Sequence, residues 1–231
     1  MKKVLAFDVY GTLINTHGVV VMLDKWIGSQ ATAFSHTWRD KQLEYSFRRG
    51  LMQTYQGFSQ CTADALQYSC QYYQIELSDT QQVQLLASYL TLPAFDDVKP
   101  ALAQLKAMGV PMFAFSNGER AAVESLLTHA GLREYFSAIV SSEDVKSFKP
   151  DPAVYRHLLD VTAAHAHMSS QAGHQEVYLV SSNPFDVLGA MSSGLKAVWV
   201  KRTATAIFDP WGQTPTTTIE TLTELTELTA L

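Results

Sequence analysis

Two textures of hydrophobic positions divide this chain of 231 residues. One is the short unbroken apolar run. The run after Lys2-Lys3, together with Val110–Phe115, Ala138–Val140, Val177–Val180 and Ala197–Val200, reads as a set of strands buried on both faces, since none shows the polar alternation of a half-exposed strand. The other texture fills the gap between the first two strands. From His17 to about Ala94, aromatics and leucines recur at helical spacing through Trp38, Leu43, Tyr45, Phe47 and Leu51, then Leu66, Tyr68, Tyr72 and Tyr73, which predicts an all-helical block. It ends at Leu92-Pro93-Ala94-Phe95, where proline interrupts helix. Helices over Asp97–Met108, over Glu119–Ala130 and around Gly189-Ala190 then alternate with the strands. Thr221-Leu222-Thr223-Glu224 is a capping-box pattern opening a short C-terminal helix, with Leu222, Leu225 and Leu228 on one face.

A hydrophobic content of 47% is enough for a sizeable core in one large domain, or in a domain carrying an insertion. The net charge of -5 and pI near 5.8, without a long run of like charges, argue against a nucleic-acid or anionic-membrane surface. Asp8 interrupts the first apolar segment, so neither a signal peptide nor a transmembrane helix is read there, and a cytoplasmic location is expected. Cys61 and Cys70 are too few for a disulfide framework and lack Cys-x-x-Cys spacing; they read as helix-core or surface thiols.

The candidate chemistry sits at strand ends. Asp8 closes the first strand, and Gly11 lets the chain turn sharply just after it. Ligands bind at the carboxyl ends of strands in open α/β sheets, so Asp8 is a candidate nucleophile or metal ligand; alone, it suits a turn or cap aspartate equally well. Ser116-Asn117-Gly118 follows the second strand and alone suits a helix N-cap. Lys149 lies in the proline-rich Ser147–Pro152 segment, where a lysine is ordinarily a surface residue. His165, His167 and His174 read as solvated side chains in a polar loop before the fourth strand, without an acidic partner at helical spacing that would make them metal ligands.

Asp8-Val9-Tyr10-Gly11-Thr12 resembles motif I of the haloacid dehalogenase (HAD) superfamily, whose phosphatases carry a second aspartate where this chain has Tyr10. That second acid protonates an alkoxide leaving group, whereas a halide departs as a stable anion, so Tyr10 fits carbon–halogen cleavage better than phosphate-ester cleavage. Ser116-Asn117-Gly118 resembles motif II, and Ser147-Phe148-Lys149-Pro150-Asp151-Pro152 resembles motif III, in which lysine holds the nucleophilic aspartate ionised. Ser181-Ser182-Asn183-Pro184-Phe185-Asp186 stands where the phosphatases carry magnesium-binding acids, with serine in place of the first of them. Trp38-Arg39-Asp40-Lys41-Gln42-Leu43-Glu44-Tyr45 is similar to a segment of the L-2-haloacid dehalogenases whose arginine reaches the active site; Asp40 departs from the usual glutamine, and Phe185 from a frequent tryptophan.

The resemblance covers nearly the whole chain. It implies an α/β fold with a doubly wound parallel sheet, a HAD-like Rossmannoid core of strand order 3-2-1-4-5 built from residues 1–15 and 95–231, with an all-helical cap over 16–94 inserted after the first strand. It also implies hydrolytic dehalogenation of short (S)-2-haloacids. Asp8 attacks C2 with inversion, Arg39 and Asn117 receive the halide, and water oriented by Lys149, Asn183 and Asp186 then hydrolyses the aspartyl ester to an (R)-2-hydroxy acid. Ser116 and Lys149 would bind the substrate carboxylate; Thr12, Tyr155 and Ser181 would hold the surrounding groups in place; Tyr10, Leu43, Phe58 and Phe185 would form the apolar wall. The expected state is a homodimer with no metal, no other cofactor and no nucleic-acid or membrane partner, the exposed-looking Tyr68, Tyr72 and Tyr73 marking a possible interface. A magnesium-dependent phosphatase and a catalytically silent binding protein on the same fold are the rival readings.

Overall fold

The computed structural model describes residues 2–168 and 175–230. In chain order the elements are β1 (Lys2–Asp8), α1 (Gly18–Ile27), α2 (Ala31–Leu51), α3 (Phe58–Tyr73), α4 (Asp79–Ser88), α5 (Val98–Ala107), β2 (Met112–Ser116), α6 (Arg120–His129), β3 (Ala138–Ser141), α7 (Pro152–Met168), β4 (Gln175–Ser181), α8 (Pro184–Ser192), β5 (Lys196–Val200), β6 (Thr217–Ile219) and α9 (Leu225–Ala230). The strands form one parallel sheet in the order β3-β2-β1-β4-β5-β6.

Alternation along each strand divides the apolar core into two layers, one per sheet face. Leu5, Phe7, Met112, Ala114, Tyr178, Val180, Val198 and Val200 belong to one buried cluster, while Val4, Ala6, Phe113, Phe115, Val177, Leu179, Ala197 and Trp199 belong to the other. Helices cover both faces, so both sets of side chains leave water. That is why these strands appear in the sequence as unbroken apolar runs. The order reverses around β1, which has β2 on one side and β4 on the other. Such a switch point leaves a crevice beyond the strand ends, and Asp8, Ser116 and Ser181 are the last residues of the strands that border it.

The helical block over α1–α4 leaves β1 and returns to α5 through two neighbouring crossings. Asn15 donates its backbone N–H to the Pro93 carbonyl at 2.8 Å, and Phe95 donates to the Leu13 carbonyl at 3.0 Å. Inside the block α2 packs on α3: Trp38 is buried, and its indole N–H donates to the Thr62 carbonyl at 2.8 Å. Leu51 and Tyr72 belong to the same sequence pattern but are exposed, because they lie near helix ends where no neighbouring element covers them.

Two sequence expectations are corrected. The sheet does not end at Val200. After a segment rich in turn residues, Thr217–Ile219 adds β6, a strand too short to show a period, with Ile219 buried. His165 and His167 lie on α7 rather than in a loop, because the buried stripe Leu158, Thr162, Ala166 carries the helix on to Met168. The His165 ring packs edge-on against Phe113 at 5.4 Å, and His174 lies outside the described residues. The C-terminal capping box is present, with Leu222 and Leu225 buried beneath it.

Candidate active site

Asp8 emerges from β1 onto a turn that only glycine accommodates without strain. Gly11 has φ +84°, in the left-handed region, and a Cβ there would come within 3.4 Å of the Arg39 guanidinium and 3.5 Å of the Ser182 hydroxyl. The Asp8 carboxylate is consequently fixed at the mouth of the sheet. Its Oδ2 accepts from the Thr12 hydroxyl at 2.8 Å and from Asn183 Nδ2 at 2.8 Å, and its Oδ1 from Lys149 Nζ at 3.1 Å.

Lys149 is the electrostatic centre of the site. It is 1% exposed, and its ammonium donates to Asp8 Oδ1, to Asp186 Oδ2 at 2.8 Å and to the Phe115 carbonyl at 2.9 Å, a full use of its three N–H bonds. Burial by itself disfavours the charged amine, but the Asp186 and Asp8 carboxylates outweigh it and hold Lys149 protonated beyond the ordinary lysine range. Burial also pushes the Asp186 carboxyl upward; the Lys149 ammonium opposes this rise, and the Asp8 charge adds to it. The free Asp186 oxygen, Oδ1, accepts from the Tyr155 hydroxyl at 2.8 Å. Tyr155 keeps its proton, burial and the Asp186 charge raising it well above the usual phenol value.

The strand-end turns are tied to this centre. Asn117 Oδ1 accepts from the Lys149 backbone N–H at 2.8 Å, joining the turn after β2 to the lysine loop. Ser116 is fully buried, and its hydroxyl accepts from the Gly118 N–H at 3.0 Å. Ser181 accepts from the Asn183 N–H at 3.1 Å, an arrangement that leaves Asn183 directed at Asp8.

The helical block contributes one cation and an apolar wall. Arg39, half-buried on α2, donates to Asn183 Oδ1 at 2.7 Å, so Asn183 bridges the guanidinium and the carboxylate. Asp40 is exposed, so the departure there places no charge in the cleft. Tyr10 rests between Phe58, at 6.3 Å between ring centroids, and Tyr89, at 6.0 Å. Burial, followed by the charges of Tyr89 and Glu119, raises the Tyr10 phenol far above its usual value, leaving a poor proton donor where a phosphatase needs a good one. Phe185 packs edge-on against Phe47 of α2 at 5.1 Å. Leu43 is half-buried, one helical turn beyond Arg39. The polar candidates other than Ser116, whose hydroxyl bonds only the Gly118 N–H, thus converge into one network, while Leu43, Phe58 and Phe185 stand apart from it as apolar surface.

Sequence reasoning missed three contributors. Ser182 fastens two turns together: its N–H donates to Thr12 Oγ1 at 2.8 Å and its hydroxyl to the Gly11 carbonyl at 2.8 Å. Gly189 permits the approach of Tyr155, since a Cβ there would lie 2.4 Å from the phenol oxygen. Arg202 donates to Asp97 at 2.7 Å and to the Thr12 carbonyl at 2.6 Å, bracing the motif I turn from the end of β5. Only the adjacency of Ser182 to Ser181 was a visible signal; the other two partnerships join residues far apart in sequence.

The donor set does not fit a divalent metal. Asp8 and Asp186 both turn an oxygen to the Lys149 ammonium, their other oxygens accept from neutral donors, and among the described residues no group of three His, Cys, Asp or Glu side chains is placed to hold an ion.

Comparisons with known proteins show the family to which the chain belongs. The family model for haloacid dehalogenase-like hydrolases matches residues 2–194. The (S)-2-haloacid dehalogenase of Pseudomonas sp. (strain YL) is 34% identical over 226 residues, covering 98% of this chain and 94% of the relative. (S)-2-haloacid dehalogenase H-109 of Pseudomonas putida is 37% identical, covering 96% of each. The structure of L-2-haloacid dehalogenase from Xanthobacter autotrophicus with chloropropionic acid covalently bound superposes with a TM-score of 0.83 at 26% identity, covering 100% of this chain and 99% of that one.

Proposed function

Because the chain belongs to the haloacid dehalogenase-like hydrolases, we propose that it hydrolyses short (S)-2-haloacids to (R)-2-hydroxy acids and halide through an ester on Asp8. The observation that carries this reading is the setting of Asp8: a carboxylate at the sheet mouth, paired with a buried ammonium and linked through Asn183 to Arg39.

Asp8 forms a bond to C2 from the side opposite the halogen, and the carbon–halogen bond breaks with its electron pair leaving as halide. Inversion at C2 follows from back-side attack. Arg39 and Asn117 receive the anion, the guanidinium offering a fixed charge that needs no reorganisation. The substrate carboxylate sits on Ser116 and nearby backbone amides, drawn by the Lys149 charge, whose three N–H bonds stay with Asp8, Asp186 and the Phe115 carbonyl. Water, oriented by Lys149, Asn183 and Asp186, then adds to the ester carbonyl of Asp8. Its oxygen enters the aspartate, one proton goes to the hydroxy acid, and the other is released with the halide.

In this reading residues 16–94 act as a cap on a core of 1–15 and 95–231, shielding the anionic nucleophile from bulk water. The enzyme is taken as cytoplasmic and dimeric, with Tyr72, exposed and stacked at 6.0 Å on Tyr68, marking the surface on which a second copy would sit. Sedimentation at the single-chain mass of 25.6 kDa would reject the dimer.

The decisive test is halide release from (S)-2-chloropropionate, (R)-2-chloropropionate and chloroacetate, with and without EDTA. Turnover of the (S) acid that survives the chelator and disappears in Asp8→Ala is expected. Magnesium-dependent turnover would favour a phosphatase instead. A single turnover in heavy-oxygen water should label Asp8 and leave the first product unlabelled; label in the product with none in the Asp8 peptide would mean that Asp8 merely activates water.

A further inference from the structure

Glu119 occupies the N-cap of α6, yet its side chain does not cap that helix. The short acceptors serine, threonine, asparagine and aspartate serve an N-cap best, so a glutamate there is out of place on local grounds. Its partner lies across the cleft. α3 starts at Gly57, which has no side chain to offer its own first turn, and the Glu119 carboxylate fills that role from the core. It accepts from the Ser59 N–H at 3.1 Å and from the Ser59 hydroxyl at 2.6 Å. A carboxylate at a helix N-terminus meets the positive end of the helix dipole, and a charged acceptor makes the stronger hydrogen bonds. Gly57 leaves the necessary room, since a Cβ there would collide with Glu119 Oε1.

Away from the two chain crossings, and among the described residues, the helical block is joined to the core by side-chain hydrogen bonds at two places, Ser59–Glu119 and Arg39–Asn183. Apolar contacts support the first of them: Phe58, next to Ser59, rests against Tyr10 at 6.3 Å and Phe148 at 6.2 Å between ring centroids.

A continuous path of contacts connects the two places. Thr62 lies on α3 three positions beyond Ser59. Its carbonyl accepts from the indole N–H of Trp38, the residue before Arg39, at 2.8 Å, and its hydroxyl accepts from the side-chain amide of Gln42, three positions after Arg39, at 2.5 Å. Trp38, Gln42 and Thr62 are all buried, so this junction of α2 with α3 is shielded from water. A shift in the first turn of α3 therefore carries α2 with it, and Arg39 with α2.

We propose that Glu119 is a positioning residue: by latching the first turn of α3 to the core it keeps α2 seated, so that the Arg39 guanidinium stands at Asn183 when the halide departs. It acts through α3 and α2 rather than on the substrate. The proposal rests on the dehalogenase reading for the role of Arg39, and on the Glu119–Ser59 contact for the seating of the helical block.

Two measurements separate those supports. Hydrogen exchange of the Ser59 amide reads the latch without any reaction, and kcat/KM for halide release from (S)-2-chloropropionate reads the seating of Arg39. In Glu119→Ala, exchange at Ser59 should speed up about tenfold and kcat/KM should fall about tenfold, with the melting temperature within a few degrees of the parent. Glu119→Gln keeps an oxygen for the Ser59 N–H and should retain most of the activity. Gly57→Ala, which drives the carboxylate off from the other side while leaving Glu119 in place, should match Glu119→Ala. The pairing with Arg39→Ala tests the route: if Glu119 acts through Arg39, Glu119→Ala has little further effect on kcat/KM once Arg39 is gone. An undiminished tenfold loss in that background would place its action in its own turn beside Asn117 and overturn the proposal. Equal losses in Glu119→Gln and Glu119→Ala would overturn it too, since charge alone would then account for the effect, as would unchanged turnover in Glu119→Ala. A parent that releases no halide, alongside Ser59 exchange that depends on Glu119, would sink the dehalogenase reading and leave the latch standing.

Discussion

Lys149 and Arg39 bring positive charge to the same carboxylate from opposite sides of the cleft, and they are held in opposite ways. Lys149 comes from the core; it is 1% exposed, and its ammonium is shared among two carboxylates and a backbone carbonyl. Arg39 comes from a helix of the inserted block; it is half-buried and touches the network through Asn183. A buried charge with all its donors used is part of the fold, because removing it leaves its partners uncompensated in a low-dielectric interior. A half-buried charge is mostly solvated whether or not the site is assembled. The core side should thus couple stability to chemistry, and the helical side should carry chemistry with little effect on stability.

The largest test of that division is Lys149→Met. With the cation gone, Asp8 and Asp186 face each other unpaired, and unfolding free energy should drop by about 3–5 kcal/mol, read by denaturant titration, with turnover lost as well. A variant as stable as the parent would show that the fold does not depend on this pair. Arg39→Ala should do the reverse: kcat/KM for halide release falls by about 10²–10³-fold while the melting temperature stays within a few degrees of the parent. Arg39→Lys should recover only part of the loss, since the ammonium lacks the planar fork. A large thermal shift in either variant would remove the contrast between the two sides.

Gly189→Ala probes the core side more gently. Its Cβ would lie 2.4 Å from the Tyr155 oxygen, so the tyrosine must leave Asp186 or α7 and α8 must part, at a cost of about 1–3 kcal/mol. The smallest expected effect comes from pH. The folded Lys149 pKa lies above its ordinary value near 10.5, so its contribution to stability is complete below that value and is lost as pH rises through the folded one. Stability measured between pH 9 and 12 should decline more steeply in the parent than in Lys149→Met; parallel curves would show that another group governs the alkaline limit.

Local pattern was enough for most of the fold. Strands buried on both faces must be apolar throughout, so β1 to β5 were visible as runs, and the change to helical spacing after Asn15 marked the inserted block. The candidate site was legible at Asp8 from its strand end, whereas Ser116, Lys149, Asn183 and Asp186 were joined to it by the family resemblance, since their own segments suit an N-cap or a surface loop equally well. Other features were decided only by the tertiary structure. β6 is three residues long and gains its pairing from β5 rather than from any period of its own. Whether Asp40 entered the cleft depended on the rotation of α2, which the packing of Trp38 against α3 sets. Arg202 reaches Thr12 across 190 positions, and Gly189 matters only because Tyr155 crosses it. Periodicity records what one element buries; it holds no information about which distant side chain arrives on the other side.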